Sequence, residues 1–174
     1  MRVRSAIIVL GVSVSLRSSK FITSDGEKRL RRELARLWHE ERPQLLESIA
    51  AAAAEGDRSE NAEYIYGRRR LREIDRKIKY LSERLDQLEI VEIDEGRVPE
   101  QVVFGAWIEI EDEEGEIKKV RIVGSDEFDA SRNFISMDSP IGRALMKRRV
   151  DDSVLVRLPK GEVEYTILAI SFKG

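Results

Sequence analysis

Leu71, Ile74, Ile78, Leu81, Leu85 and Leu88 recur at spacings of 3, 4, 3, 4 and 3, an unbroken a/d heptad register. Only a helix packed along its length against another helix buries such a seam. Carried backwards in the same alternation, the register reaches Gly67, Tyr64, Glu60 and Asp57, so the apolar seam ends in two carboxylates. An alanine-rich run over residues 49–54 precedes them, followed by Glu55-Gly56-Asp57. Gly suits a helix C-cap and Asp the next N-cap, so the chain turns back here. The partner seam then consists of Leu30, Leu34, Leu37, Trp38, Leu45, Leu46 and Ile49. Its helix starts at Thr23 or Ser24 as N-cap, with Asp25 and Glu27 in the first turn, where the helix dipole favours negative charge. Pro43 lies inside the pattern and is expected to bend the helix rather than break it. Gly67 costs roughly 1 kcal/mol relative to Ala, which close approach of the backbone at residues 51–54 would explain.

Charge is distributed unevenly along this hairpin. Residues 68–79 hold seven basic side chains, Arg68, Arg69, Arg70, Arg72, Arg76, Lys77 and Lys79, against Glu73 and Asp75. With Leu71 at position a, Arg69 and Arg76 fall at f, Arg72 and Lys79 at b, and Arg70 and Lys77 at g, so the charge covers one outer side. Such positions are ordinarily a solvated face. Here the positive charge is confined to the half nearer the carboxylates, the same face reaching Glu83 and Asp86 further along, and clustered Lys and Arg bind phosphate regardless of the chain's average charge. Tyr64 and Tyr66 flank the cluster and offer rings for stacking, with packing the better reading for Tyr64 at its seam position. His39 stands alone, with no second ligand near it in sequence, and reads as solvated or packed.

The remainder of the 174-residue chain must supply a globular core that two helices cannot. Residues 91–101 contain Gly96, Pro99 and several acids and read as a linker. Residues 102–111 and 117–123 are strand-like about an Asp112-Glu113-Glu114-Gly115 turn, and residues 153–158 and 163–172 flank Pro159-Lys160-Gly161-Glu162. Between the pairs, Asp138-Ser139-Pro140 opens a short amphipathic helix, with proline in the first turn. Residues 102–174 are therefore a small antiparallel sheet with one helix, and the fold class is a coiled-coil hairpin over 21–90 followed by an α+β unit. Residues 1–20 carry Arg2 and Arg4 ahead of an apolar run too short to span a bilayer as a helix. They resemble a weak secretory signal with a poor cleavage pattern, and an N-terminal extension or an overlong start is the favoured reading. No cysteine is present, which excludes disulfides and thiolate chemistry and is compatible with a reducing cytoplasm. No Ser-His-Asp, Cys-His, P-loop or zinc pattern occurs, so an independent enzyme is not expected.

The GDRSENAEY stretch followed by RRRLREIDRKIKYL resembles the bacterial transcript-cleavage (elongation) factors of the Gre family. Its pairing of an acidic tip with a long basic patch is most similar to the GreB-like branch. The resemblance runs from about Phe21 to the C-terminus. It implies an FKBP-like fold for residues 102–174, a cytoplasmic monomer with no membrane association, and bacterial RNA polymerase as partner. It implies that Asp57 and Glu60 at the tip help hold a catalytic magnesium jointly with the polymerase, after insertion through its secondary channel toward the 3′ end of backtracked nascent RNA. The basic residues from Arg68 to Lys79 would hold that RNA, and Asp138, Ser139 and Pro140 match the family's loop that docks on the polymerase.

Spacing alone favours a different role for the carboxylates, since Asp57-x-x-Glu60 is a capping-box pattern at a helix start. The family resemblance reverses that preference, and the two roles need not exclude each other. Two carboxylates bind magnesium weakly by themselves, because this hard ion keeps several waters and takes one or two carboxylates with substrate phosphate. The tip is thus half a site. Three functions remain in view: a factor completing a metal site in trans, a channel-occupying regulator that promotes no cleavage, and a coiled-coil adapter whose FKBP-like domain could be a prolyl isomerase. Both carboxylates in a GD-x-x-EN setting favour the first.

Overall fold

The computed structural model describes residues 19–54, 61–159 and 161–174, and the backbone of residues 8–9 and 12–13. The chain divides into two compact units, Ser24–Leu88 and Glu89–Gly174 together with the stretch preceding Ser24. In that stretch β1 (Ile8–Val9) and β2 (Val12–Ser13) pair antiparallel, followed by β3 (Phe21–Thr23).

The first unit is the helical hairpin that the heptads predict. α1 (Ser24–Arg36) continues through a π-helical turn at Leu37–Glu41 into α2 (Arg42–Ala54), and α3 (Ala62–Leu85) returns along it. The α3 seam is as expected: Gly67, Ile74, Ile78 and Leu81 are buried, and Tyr64, Leu71, Leu85 and Leu88 half-buried. Each buried Ile or Leu contributes about 1.5–3 kcal/mol. The opposite seam differs from expectation. Leu30, Leu37, Ile49 and Ala52 are buried, but Trp38 is 52% and Leu46 39% exposed. A strict heptad from Leu30, Leu34 and Leu37 continues at 41, 44, 48 and 51, whereas the chain turns Leu45, Ile49 and Ala52 inward, one residue later. The π turn absorbs that residue, with the Arg42 amide donating to the Leu37 carbonyl. Pro43 lies just beyond. It cannot donate to the His39 carbonyl and its ring crowds that oxygen, and the helix responds with a wider turn while continuing unbroken. The displaced Trp38 ring lies 5.8 Å from the Arg42 guanidinium, which covers its outer face.

The second unit is built on a five-stranded sheet. β4 (Glu89–Val91) pairs in parallel with β3. β5 (Trp107–Asp112), β6 (Ile117–Val123), β7 (Phe134–Ser136), β8 (Ser153–Leu158) and β9 (Gly161–Ser171) follow, in the spatial order β7-β6-β5-β9-β8. Four of these strands pair antiparallel as expected. The fifth, β7, runs parallel to β6, so the sheet is mixed, and three residues are too short a run for periodicity to reveal. The 112–115 turn closes as read from sequence: Asp112 accepts hydrogen bonds from the amides of Glu116 (2.9 Å) and Glu114 (3.1 Å), and Gly115 takes φ +79°. The Glu116 amide, with that of Glu114 and the Lys118 ammonium, holds the Asp112 carboxyl below the usual carboxylate range. Ile108, Ile110, Val120, Ile122, Val154, Val156 and Ile167 fill the inner face, and Leu145 of α4 (Pro140–Leu145) completes the core.

Residues 102–106, read from the sequence as strand, are not part of one: Gly105 takes φ +84° and β5 begins at Trp107. Phe21-Ile22-Thr23, read as the hairpin's beginning, is a strand of the second unit. Glu127, 2% exposed, accepts hydrogen bonds from the Thr23 amide (2.9 Å), the Thr23 hydroxyl and the Gly124 amide (3.3 Å). A buried carboxylate is tolerable only when its lone pairs are met in this way.

Candidate functional site

The site expected at the hairpin tip is approached from its two flanks, because Asp57 and Glu60 lie outside the described residues. α3 begins at Ala62 with Asn61 as N-cap. The expectation that Asp57 provides this cap is corrected: the cap oxygen is Asn61 Oδ1, which accepts from the Tyr64 amide at 3.1 Å. The other end of the same amide reaches the opposite helix, Asn61 Nδ2 donating to the Ala52 carbonyl at 2.9 Å. One half-buried side chain thus satisfies an orphan carbonyl in the last turn of α2 and an orphan amide in the first turn of α3. Sequence reasoning passed over Asn61 because Asp57 already offered a suitable cap. The signal was present, since Asn equals Asp as an N-cap and stands immediately before the first helical residue.

The basic residues separate into two groups. At g positions, Arg70 pairs with Glu73 (3.2 Å) and reaches Glu41 of the π turn (3.9 Å), while Lys77 pairs with Glu33 of α1. Arg42 and Asp75 close the other flank at 2.8 Å. Apart from Arg70–Glu73, which lies within α3, these are the interhelical bridges that flank a coiled-coil seam. Arg69 and Lys79 have looser partners within α3, Glu73 at 3.6 Å and Glu83 at 3.8 Å. Arg68, Arg72 and Arg76 are exposed and make no ion pair among the described residues, Arg76 donating only to the Arg72 carbonyl at 3.1 Å. Four residues apart, these three form a ridge with steps of about 6 Å along the helix axis. Exposed Ile65 and Tyr66 stand at its tip end, and Tyr64 packs in the seam.

In the second unit, Ser139 caps α4: its hydroxyl accepts from the Gly142 amide at 3.0 Å and donates to the Ser136 carbonyl at 2.7 Å. Asp138 accepts from the Ser125 hydroxyl and the Ser19 amide, each at 2.6 Å. Pro140, at the first helical position, is exposed. Two members of the expected docking loop therefore hold the loop in shape, and the third presents a surface.

Among the described residues no three acidic or imidazole side chains are grouped to ligate a metal ion, and no helix is long and apolar enough to cross a membrane.

Residues 20–90 match the model for the N-terminal part of transcription elongation factors of the GreA/GreB type, and residues 97–172 the GreA/GreB C-terminal model. Transcription elongation factor GreB of Yersinia pestis is 51% identical over 155 residues, 89% of this chain and 90% of the relative. GreB of Haemophilus influenzae is 53% identical over 146 residues, covering 82% and 90%, and GreB of Pseudomonas aeruginosa 50% identical over 151, covering 87% and 89%. Among solved structures, the GreA factor homolog 1 protein of Thermus thermophilus is 27% identical, with a TM-score of 0.39 over 86% of this chain and 97% of its own. Identity at the level of the GreB relatives, running through the hairpin and the sheet alike, assigns the chain to the GreA/GreB family of transcription elongation factors.

Proposed function

We propose that this elongation factor binds bacterial RNA polymerase, inserts its hairpin tip through the secondary channel, and stimulates the polymerase's own endonucleolytic cleavage of backtracked RNA. The observation that carries the reading is that Asn61, not Asp57, caps α3. Capping was the competing explanation for the acidic pair, and that work is done by another residue. The donor set fits magnesium: two hard carboxylate oxygens are what this ion takes from a protein when phosphate and water complete its shell. Asp57 and Glu60 would hold it together with acidic ligands of the polymerase. Bound there, the ion supplies polarisation of water and stabilisation of a leaving oxygen. The chain's own contribution is to carry negative charge to that place, to hold the extruded RNA along Arg68, Arg72 and Arg76 without reading its sequence, and to dock through Pro140 on the loop shaped by Asp138 and Ser139.

The test pairs stability with activity. Asp57→Asn and Glu60→Gln retain hydrogen-bonding capacity and lose charge, and with Asn61 in place both are expected to unfold at the wild-type temperature. Each should reduce cleavage of a defined backtracked complex at least 10-fold at saturating factor, polymerase affinity being unchanged. Wild-type cleavage by both variants would leave a channel-occupying regulator as the better reading.

A further inference from the structure

A cleft of about 250 Å³ opens in the second unit, lined by Arg97, Gln101, Val103, Arg149 and Phe172, with Glu100 beside them. Its two sides are tied together through the backbone: the Val102 amide donates to the Arg148 carbonyl at 2.7 Å, and the Lys147 amide to the Val102 carbonyl at 2.8 Å. The Arg149 amide donates to the Asp152 carboxylate at 2.8 Å, and Lys147 and Asp151, at φ +66° and +70°, set the turns on either side of it. Residues other than glycine persist in the left-handed region only where the surrounding contacts impose it. The loop therefore holds Arg149 at the cleft by its own hydrogen bonds, with no ligand needed to shape it.

Both arginines are exposed, and neither guanidinium has a hydrogen bond or ion pair among the described residues. Two unpaired guanidinium forks on one small cleft suit a phosphate, whose oxygens accept parallel N–H bonds from such groups. Lys147 and Arg148, exposed on the same loop, add positive potential in a unit that holds more acids than bases. Glu100 offsets only one of the two charges in the lining. A phosphate alone would leave the rest of the space unused. The half-buried Phe172 and Val103, packed against the core, give an apolar side, and an aromatic ring takes a base by stacking whatever its identity. Gln101 supplies a donor and an acceptor, and Glu100 acceptors, for the edge of that base. We propose that the cleft binds a nucleoside phosphate, the arginines taking the phosphate and the Phe172 side the base. Its volume lies just below the range of about 300–1,000 Å³ found for pockets that enclose a drug-sized ligand, which suits one nucleotide, free or at the end of a strand. The site lies wholly in the second unit, and the inference does not rest on the cleavage reading.

Equilibrium dialysis of the full chain against radiolabelled ADP, without polymerase, tests it. ADP is expected to be retained, and pyrophosphate, which has no base, to compete several-fold less well than unlabelled ADP. Arg97→Gln and Arg149→Gln should each weaken ADP binding about 10-fold, the scale of a lost charge-assisted phosphate contact. Both should melt as wild type, since the side chains are exposed. Arg72→Gln on α3 and Arg157→Gln on β8 remove exposed arginines outside the cleft and should leave ADP binding unchanged. An octamer of uridylate distinguishes the sources: displacement of ADP at lower concentrations than unlabelled ADP requires assigns the site to the end of a strand, and weaker displacement assigns it to free nucleotide. No retention of ADP, equal competition by pyrophosphate and ADP, or the same loss in all four variants would overturn the site. Any of those results leaves the cleavage reading standing, because the assay contains no polymerase.

Discussion

A methyl group at Gly67 would sit 2.7 Å from Ile49 Cγ1, closer than carbon atoms approach without displacement. The sequence placed a small residue on the seam and suggested the alanine backbone opposite as the reason. The structure gives the reason as a branched side chain, whose γ-carbon is too near its own backbone to swing aside freely. Gly67→Ala gains roughly 1 kcal/mol in helix propensity and meets overpacking that typically costs about 1–3 kcal/mol. The expected outcome is a net loss of about 1 kcal/mol, the difference between those two terms, read as a lowered denaturation midpoint, with Gly67→Ala/Ile49→Val recovering part of it. A midpoint above wild type would show that Ile49 yields at no cost. The same scale shows why Asn61 escaped notice in the sequence. Its cap bond is local and legible, but the partner of its Nδ2 is nine residues away on another helix, and no spacing rule selects that carbonyl.

At the scale of the element, α3 carries two basic surfaces that its sequence presents as one. Heptad position placed the charges at b, f and g together on one outer side, whereas those at g meet acids of the partner helix, Glu33 and the Glu41 that the π turn carries. The division makes opposed forecasts. Replacing Arg68, Arg72 and Arg76 by Gln should leave the hairpin's melting unchanged and weaken crosslinking to the 3′ end of backtracked RNA. The logarithmic salt dependence of RNA retention should shrink by roughly 0.7 for each phosphate no longer neutralised. Replacing Arg70 and Lys77 by Gln should instead destabilise the hairpin by about 0.2–1 kcal/mol per pair, with crosslinking retained. Equal weakening of crosslinking in both sets would mean that the whole stripe, not the unpaired ridge, holds RNA. The π turn was only half legible: Pro43 announced a disturbance, but the direction of the response depends on which residues the opposite helix accepts into the seam.

For the molecule as a whole, β3 precedes the hairpin in the chain and β4 follows it, and the two pair with each other in the second unit, where Glu127 holds Thr23. The hairpin is therefore an insertion between two strands of one unit. Residues 19–23 joined by a short Gly-Ser linker to residues 89–174 should fold cooperatively. Residues 102–174 alone should melt well below that, because Glu127 loses the Thr23 donors and a charged group left unmatched in an interior costs several kcal/mol. The linked form is also expected to compete with the full chain for polymerase while stimulating no cleavage, which competition binding and a transcript-cleavage assay would measure together. Equal melting of the two fragments would show that β3 and β4 add nothing to the unit.

The hairpin, the α3 seam, the turn at Asp112 and the antiparallel pairs of the sheet were all legible in the sequence, because each is a periodic or local pattern whose physics acts within a few residues. The basic cluster on α3 was legible too, since charge is read directly from residue type. Folding in three dimensions decided the rest: which carbonyl Asn61 reaches on the opposite helix, which basic residues hold the helices together, how Trp38 came to the surface, and that Phe21-Ile22-Thr23 belongs with the strands that follow the hairpin. Those outcomes turn on partners 9, 33, 44 and 104 residues away, brought near by packing, and separation along a chain says nothing of distance once the chain has folded.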